Sequence, residues 1–341
     1  GNVGNNQYMK LKDSTNGHHQ NYSSATMEED VASYNLFQVT AGIDEGTETE
    51  QVYVRKGTIW SSSVNLSNSN IGIGTIGLAY GIKESGWFLG ILLFVLCHFL
   101  NHITMYMMME VARQCKVASY AIVCNKCQVP VLQIVSDYSM VINKLLSCSS
   151  YCILIGDYMA LVVPQIVGSH EDASIYHNRR FWISVFIILF IIPTNVVRKI
   201  DALKYTSFFA LVCFFYLTIM VQYFAYIEPP SQAPNPVNIS VWPQPESPLS
   251  FFKTISLFIY AYGGHPIAFG ITTELVNPTM KRLNWIIWNF CTFSTFIFAS
   301  VAFGGYLTYG EETKGNLLNT YPDDANAVIV VRVALCFAVA F

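Results

Sequence analysis

Asn68-Ser69-Asn70-Ile71-Gly72-Ile73-Gly74-Thr75-Ile76-Gly77 sits in the middle of a predominantly apolar run over residues 61–82. A run of about 20 such residues is what a helix needs to cross the hydrocarbon core of a bilayer. Three glycines in six residues weaken a helix by roughly 1 kcal/mol each against alanine. Hydrocarbon also offers no water to backbone that comes loose. Two readings of the motif compete: a small-residue face for close helix packing, or unwound backbone that lines a cavity.

A second interruption decides between them. Ala261-Tyr262-Gly263-Gly264-His265-Pro266 breaks the apolar run 250–272, because proline removes a donor and drives the preceding residue out of helical geometry. Working outward, the spans fall at about 61–82, 87–110, 129–163, 181–197, 203–226, 250–272, 285–309 and 325 onward. The interruptions therefore lie in the first and sixth spans, five apart. That is the pattern of a carrier built from two inverted five-helix repeats, with its ligand at the midplane between the breaks. Such a pair of repeats is not complete in about eight spans, so the fold expected is an all-α membrane protein truncated at Phe341, with two or more spans to follow.

Composition agrees. Charged residues make up 12% of the 341, about half the share of an ordinary globular protein. The net charge of −3 with scattered bases leaves no basic face for phosphate backbones, which excludes nucleic acid as a partner. The cysteines fall mostly in apolar runs or the 115–127 loop, so no disulfide framework is expected. Cys124-x-x-Cys127, with Cys115 nearby, lacks the second pair of a structural zinc site. Residues 1–56, rich in Asn, Ser, Thr and Gly and acidic at Glu28, Glu29, Asp30, Asp44, Glu45, Glu48 and Glu50, are expected to form a disordered cytoplasmic tail. Residues 57–341 then form the transporter domain.

With the tail in the cytoplasm, Lys10, Lys12, Arg55, Lys56, Arg113, Lys116, Lys126, Arg198, Lys199, Lys204, Lys281 and Arg282 lie inside. Lys83, Arg179, Arg180, Lys253 and Lys314 lie outside, as the positive-inside rule prefers. The proline-rich 227–249 connection is then external and carries the sequon Asn238-Ile239-Ser240, which predicts a glycoprotein.

Ser63-Val64-Asn65-Leu66-Ser67-Asn68 followed by Gly72-Ile73-Gly74-Thr75-Ile76-Gly77-Leu78-Ala79-Tyr80 resembles the first span of the sodium-coupled neutral amino acid transporters of systems A and N. Phe303-Gly304-Gly305-Tyr306-Leu307-Thr308-Tyr309-Gly310 and Val331-Arg332-Val333-Ala334 resemble the end of their seventh span and their eighth. Tyr260-Ala261-Tyr262-Gly263-Gly264-His265-Pro266 is more similar to the proton-coupled and vacuolar branches of the same amino acid/auxin permease superfamily. The resemblance runs from about residue 61 to the end. It implies a LeuT-like fold, secondary active transport of amino acids, symport with sodium or protons, and a plasma, endolysosomal or vacuolar membrane. It also implies that Asn68 helps to hold sodium, the single cofactor expected, with a hydroxyl on the eighth span. The threonine-rich segment that supplies this hydroxyl in the family is replaced here by Cys336-Phe337-Ala338-Val339-Ala340-Phe341.

The residues themselves suggest how a substrate docks. A carboxylate can accept from amides freed around Gly72, Gly74, Thr75 and Gly77, where a half-helix also directs its positive end. Carbonyls near Tyr262, Gly263, Gly264 and His265 can accept from the ammonium. Neither break contains Asp, Glu, Lys or Arg, so a second full charge on the substrate would lack a partner and a small neutral zwitterion is expected. His265, at the second break, is the candidate for pH sensitivity or, equally, a hydrogen-bonded structural residue. His98, Asn101 and His102 share one helical face, with Glu110 two turns beyond. They are read as facing neighbouring helices in preference to holding a metal or relaying protons. Lys144 and Asp137, seven apart, pose the same choice between packing and ion coupling.

An amino-acid-sensing receptor on the same fold is the alternative function, motivated by the acidic tail. An intramembrane enzyme is disfavoured because no nucleophile or carboxylate pair stands at a recognisable spacing. A channel is disfavoured because no filter motif is visible.

Overall fold

The computed structural model describes residues 57–115, 119–168, 175–193, 203–245 and 247–340. The expected tail over 1–56, and the bases Lys116, Arg198 and Lys199, lie outside the described residues.

The chain begins with α1 (Ile59–Asn70), which starts on a reciprocal cap. Thr58 Oγ1 accepts from the Ser61 amide at 3.1 Å, and Ser61 Oγ accepts from the Thr58 amide at 3.0 Å, so two orphan donors are satisfied at once. Ser63 and Ser67 donate their hydroxyls to carbonyls four residues back, at 2.8 and 2.9 Å, which lets serine sit in a helix away from water. The helix ends at Ile71, whose backbone is extended. A new helix, α2 (Gly74–Cys115), starts three residues later.

Helix α2 is 42 residues long, about 63 Å and twice the thickness of the hydrocarbon core. It is in fact two spans joined at Gly86, whose φ of 69° and ψ of 159° are non-helical. The first expected span is therefore α1 plus Gly74–Ser85, and the second is the remainder of α2. A short α3 (Tyr120–Lys126) leads into α4 (Pro130–Val167), the third span. The fourth is α5 (Arg179–Phe186), continuing as a π-helical turn over Ile187–Ile191. The fifth is α6 (Leu203–Tyr226).

The sixth span is divided as the sequence predicts, into α7 (Pro248–Ala261) and α8 (His265–Glu274). Then come α9 (Met280–Tyr309) and α10 (Asn326–Ala340), the seventh and eighth. Four described helices are long and apolar enough to cross a membrane, so the chain is an all-α, multi-pass integral membrane protein.

The two interrupted spans lie side by side and antiparallel. At one end, Gly57 at the start of α1 pairs with the end of α8: its amide donates to Glu274 O at 2.9 Å and its carbonyl accepts from Val276 at 3.0 Å. At the other end, the first half of α2 packs on α7, where Gly81 faces Phe258 and Gly77 faces Leu257. The apolar core divides at the level of the breaks. One cluster includes Leu78, Phe258, Tyr306 and Val331, and a second includes Leu66, Met105, Ala268, Leu283 and Phe290.

Three connections meet at the α7 end of the bundle. The 238–242 segment accepts from Trp87 and Phe88 through the Ser240 and Val241 carbonyls, at 3.2 and 3.3 Å, and from Glu311 through the Asn238 carbonyl at 3.2 Å. Tyr306 Oη accepts from the Ser240 amide at 2.8 Å. Two glycines in the left-handed region permit this approach: a Cβ on Gly86 would lie 2.6 Å from the Trp242 carbonyl carbon, and one on Gly310 would lie 2.0 Å from Asn238 O. Gly86→Ala and Gly310→Ala should each lower the stability of the purified protein in thermal melts, by about 1–3 kcal/mol. Gly270→Ala, where a Cβ meets nothing within 4 Å, serves as the control. A drop in the control as large as in the other two would contradict this account.

Candidate functional site

Between Ile71 and Gly74 the backbone leaves one helix and enters another. The Thr75 amide donates to Gly72 O at 3.0 Å and the Ile76 amide to Ile73 O at 3.2 Å. The second half-helix therefore closes early. Among the described residues, the amides of Gly72, Ile73 and Gly74 have no such backbone acceptor. The free donors thus span three residues rather than the whole stretch to Gly77. Gly77 instead lies within α2, where a Cβ would sit 3.2 Å from Leu257. Thr75 is fully buried.

The second break lies against the first. A Cβ on Gly74 would stand 3.4 Å from Ala261 Cα, and one on Gly264 would stand 3.4 Å from Asn70 Oδ1. Phe290 and Met105 approach the same Gly264 position to 3.2 and 3.3 Å and close it from α9 and α2. Gly263 is exposed, Gly264 and Tyr262 are buried and His265 is half-buried. The chain turns here through bonds from the Tyr262 and Gly263 amides to Ile259 O and Tyr260 O, at 3.2 and 3.0 Å. The Gly264 amide reaches Tyr262 O at 2.9 Å.

Three polar atoms around the first break, Asn68 Oδ1, Asn70 Nδ2 and Thr75 Oγ1, are buried without a hydrogen-bond partner among the described residues. Each such orphan costs about 1–3 kcal/mol, so three within eight residues of sequence single this stretch out for explanation. Helix α4 supplies a third wall. Tyr151 Oη would lie 3.4 Å from a Cβ on Gly72, and Ser147 Oγ is 3.1 Å from Tyr260 Oη.

Asn70, Ser147 and Tyr151 were not among the residues singled out from sequence. Asn70 stood inside the quoted motif; nothing in the order of residues brings α4 to the breaks.

The histidine face of α2 packs on neighbouring helices. His98 Nδ1 is 3.0 Å from Thr295 Oγ1, which is itself 2.7 Å from Tyr262 Oη. His102 Nε2 is 3.1 Å from Asn284 Oδ1, and its ring lies 4.5 Å from that of Trp288. His265 Nε2 is 2.8 Å from Thr104 Oγ1. Glu110 pairs with Arg113 at 3.0 Å, not with His102. Lys144 is exposed, as is Cys127, while Cys124 is buried; all described cysteines are free. No group of three or more His, Cys, Asp or Glu among the described residues is placed to hold a metal ion.

Two helix breaks that face each other, with unpartnered polar side chains beside the first, are the arrangement of broken-helix membrane carriers. Residues 55–341 match the transmembrane amino acid transporter protein family, and the chain belongs to it. It is 26% identical over 292 residues to vacuolar amino acid transporter 5 of Schizosaccharomyces pombe, covering 85% of this chain and 67% of that protein. It is 27% identical over 281 residues to vacuolar amino acid transporter 7 of Saccharomyces cerevisiae, covering 81% and 54%. It is also 26% identical over 195 residues to sodium-coupled neutral amino acid transporter 7 of Homo sapiens, covering 57% and 41%. The chain thus spans about two thirds or less of the length of these relatives. The family is one of transporters, not of enzymes.

Thr295 links two helices to the second break, so its hydroxyl couples His98 to Tyr262. Thr295→Val and Tyr262→Phe should each destabilise the protein by about 0.5–2 kcal/mol in thermal melts, with the double variant costing clearly less than their sum. Strict additivity would show that the two hydroxyls do not interact.

Proposed function

We propose that the chain carries a small neutral amino acid across a membrane, bound between the two helix breaks. The observation that carries this reading is the set of unpartnered polar groups at the first break, Asn68, Asn70 and Thr75, lying level with the opened backbone of the second. The substrate carboxylate accepts from the amides of Gly72, Ile73 and Gly74, at the positive end of the half-helix that begins there. Its ammonium donates to carbonyls at Tyr262, Gly263 and Gly264. Gly77 lies one turn into α2 and His265 opens α8, so both frame the site. Without a charged side chain at either break, the site favours a zwitterion with an uncharged side chain over lysine or glutamate.

Sodium and protons are the two candidate coupling ions; one relative is named as sodium-coupled, and the names of the vacuolar relatives state no ion. Asn68 Oδ1 is available as a cation ligand, whereas His265, at the second break, is the candidate side chain for carrying a proton. The end of the bundle carrying the 227–249 connection faces the outside or the organelle lumen, and the tail faces the cytoplasm. A vacuolar membrane is the setting that the names of several relatives give, with endolysosomal and plasma membranes as the other candidates.

Uptake of radiolabelled amino acids into proteoliposomes containing the intact protein tests the site. Gly74→Ala should retain most activity, because its Cβ meets Ala261 at an acceptable distance. Gly74→Val should lose at least about tenfold, because its methyl groups must displace α7 or reclose the break. Unimpaired uptake by the valine variant would remove the first break from the site, and saturable binding without uptake by the wild type would favour the sensing receptor.

The ion is read from the same assay. If sodium drives uptake, Asn68→Ala should raise the sodium concentration needed for half-maximal rate about threefold or more before it lowers the maximal rate. If protons drive it, that variant should leave ion dependence unchanged and His265→Gln should flatten the pH profile.

A further inference from the structure

The α2 face that carries His98 meets the second break through a continuous set of polar groups. Tyr262, a residue of the break, has its Oη 2.7 Å from Thr295 Oγ1, and Thr295 Oγ1 is 3.0 Å from His98 Nδ1. Tyr262 is buried, with its ring edge-on to that of Phe298 at 5.5 Å. The chain of groups therefore joins a titratable ring to a residue whose backbone opens the sixth span.

Each hydroxyl holds one hydrogen, so the ring sets the direction of the chain. With Nδ1 unprotonated, Tyr262 donates to Thr295 and Thr295 donates to the ring. A proton added at Nδ1 turns that nitrogen into a donor. Thr295 must then accept from it and donate to Tyr262, whose own hydrogen has to turn to another acceptor. No hydrogen is gained or lost except the one that arrives, yet the bonding of a break residue has changed.

The surroundings suit an imidazolium. The Cys291 carbonyl, which can only accept, also faces the ring. The ring of Trp288 lies 5.7 Å from that of His98, within the range over which an indole attracts a cation. Asn101, one turn along α2, is buried, and its Oδ1 has no hydrogen-bond partner among the described residues. The titratable groups that face His98 are His102 of the same helix, Cys291 of α9 and, through Thr295, Tyr262. His102 sits 4.5 Å from the same Trp288 ring and bonds Asn284. A positive charge on one of these two histidines opposes a charge on the other.

We propose that His98 is a proton-binding site coupled to the second break, that Thr295 is the positioning residue that passes its charge state to Tyr262, and that one proton bound there accompanies each amino acid carried. This rests on the proposed transport function and deepens it, because it names the proton as a coupling ion and adds His98 to the candidate His265.

Accumulation of radiolabelled alanine by proteoliposomes containing the intact protein tests the site. Sodium is equal on both faces, the membrane potential is clamped, and a proton gradient is applied in each direction in turn. With a gradient of about one pH unit, one proton per molecule holds the amino acid about tenfold concentrated for one of the two directions. His98→Asn keeps an amide near the position of Nδ1 but takes no proton, and should concentrate alanine for neither direction. Its exchange of internal for external alanine at equal pH should stay within about twofold of wild type, because exchange needs no net proton movement. Thr295→Val breaks the chain without touching the ring and should also lose accumulation. Thr295→Ser, which restores the hydroxyl, should recover it. His102→Gln keeps a partner for Asn284 and should accumulate as the wild type does.

Accumulation by His98→Asn equal to that of the wild type would overturn the proposal. So would a wild type that exchanges alanine but concentrates it for neither direction, a result that leaves the transport reading standing. A wild type that neither exchanges nor accumulates sinks the transport reading. The site is then read from the fluorine resonance of 5-fluorotryptophan at position 288, assigned by its loss in Trp288→Phe. A pH titration of that resonance that shifts on adding alanine, and that vanishes in His98→Asn, would keep His98 as a proton site coupled to the break. A resonance indifferent to the change at His98 would remove it as well.

Discussion

Hydrocarbon has nothing to offer a peptide group, so a backbone that leaves its helix at mid-depth must find protein, water or ligand partners. This chain leaves its helix twice at that depth, at Ile71–Ile73 and at Tyr262–Gly264. Much of the remaining architecture serves to hold those two places together. The Gly57 pairing fixes the start of α1 to the end of α8, and the close contact of Gly74 with Ala261 fixes the start of α2 against the end of α7. Phe290 and Met105 close the second break from outside. The side-chain atoms of Asn68, Asn70 and Thr75 have no hydrogen-bond partner among the described residues, and in the proposed reading they are what a ligand meets.

The core divides into two clusters at the level of the breaks: α9 and the second part of α2 run unbroken through both, while the first and sixth spans are interrupted where the clusters meet. At the α7 end, the 238–242 segment ties the turn between the first two spans to the end of the seventh, through approaches that only Gly86 and Gly310 permit. The loop after α9 is inserted beside it and held by Arg332. One segment fastens the helix ends; the other packs Leu317 against Gly305 of α9.

Much of this was legible in the order of residues because glycine and proline are unambiguous at membrane depth. Both breaks follow from Gly72, Gly74, Gly263, Gly264 and Pro266, and the span boundaries follow from apolar length. The division of the 42-residue helix at Gly86 follows from its excess over bilayer thickness. The extent of the first break was narrower than the glycines suggested, since an i to i+3 turn closes the helix again by Thr75. Long-range contacts were not legible. Nothing local distinguishes Tyr151 or Ser147 from other residues of α4, nor indicates that Thr295 would stand between His98 and Tyr262. Arg332 could be noticed as a charge in an apolar run, but its partners come from a loop whose insertion only the packed structure reveals.

The central claim is that a neutral amino acid binds between the two breaks. A structure of the intact protein with such an amino acid bound tests it most directly. The account predicts the carboxylate within hydrogen-bond distance of the Gly72, Ile73 and Gly74 amides and the ammonium facing the carbonyls at Tyr262 to Gly264. An amino acid found elsewhere, with Asn70 and Thr75 still without polar partners at the break, would contradict it.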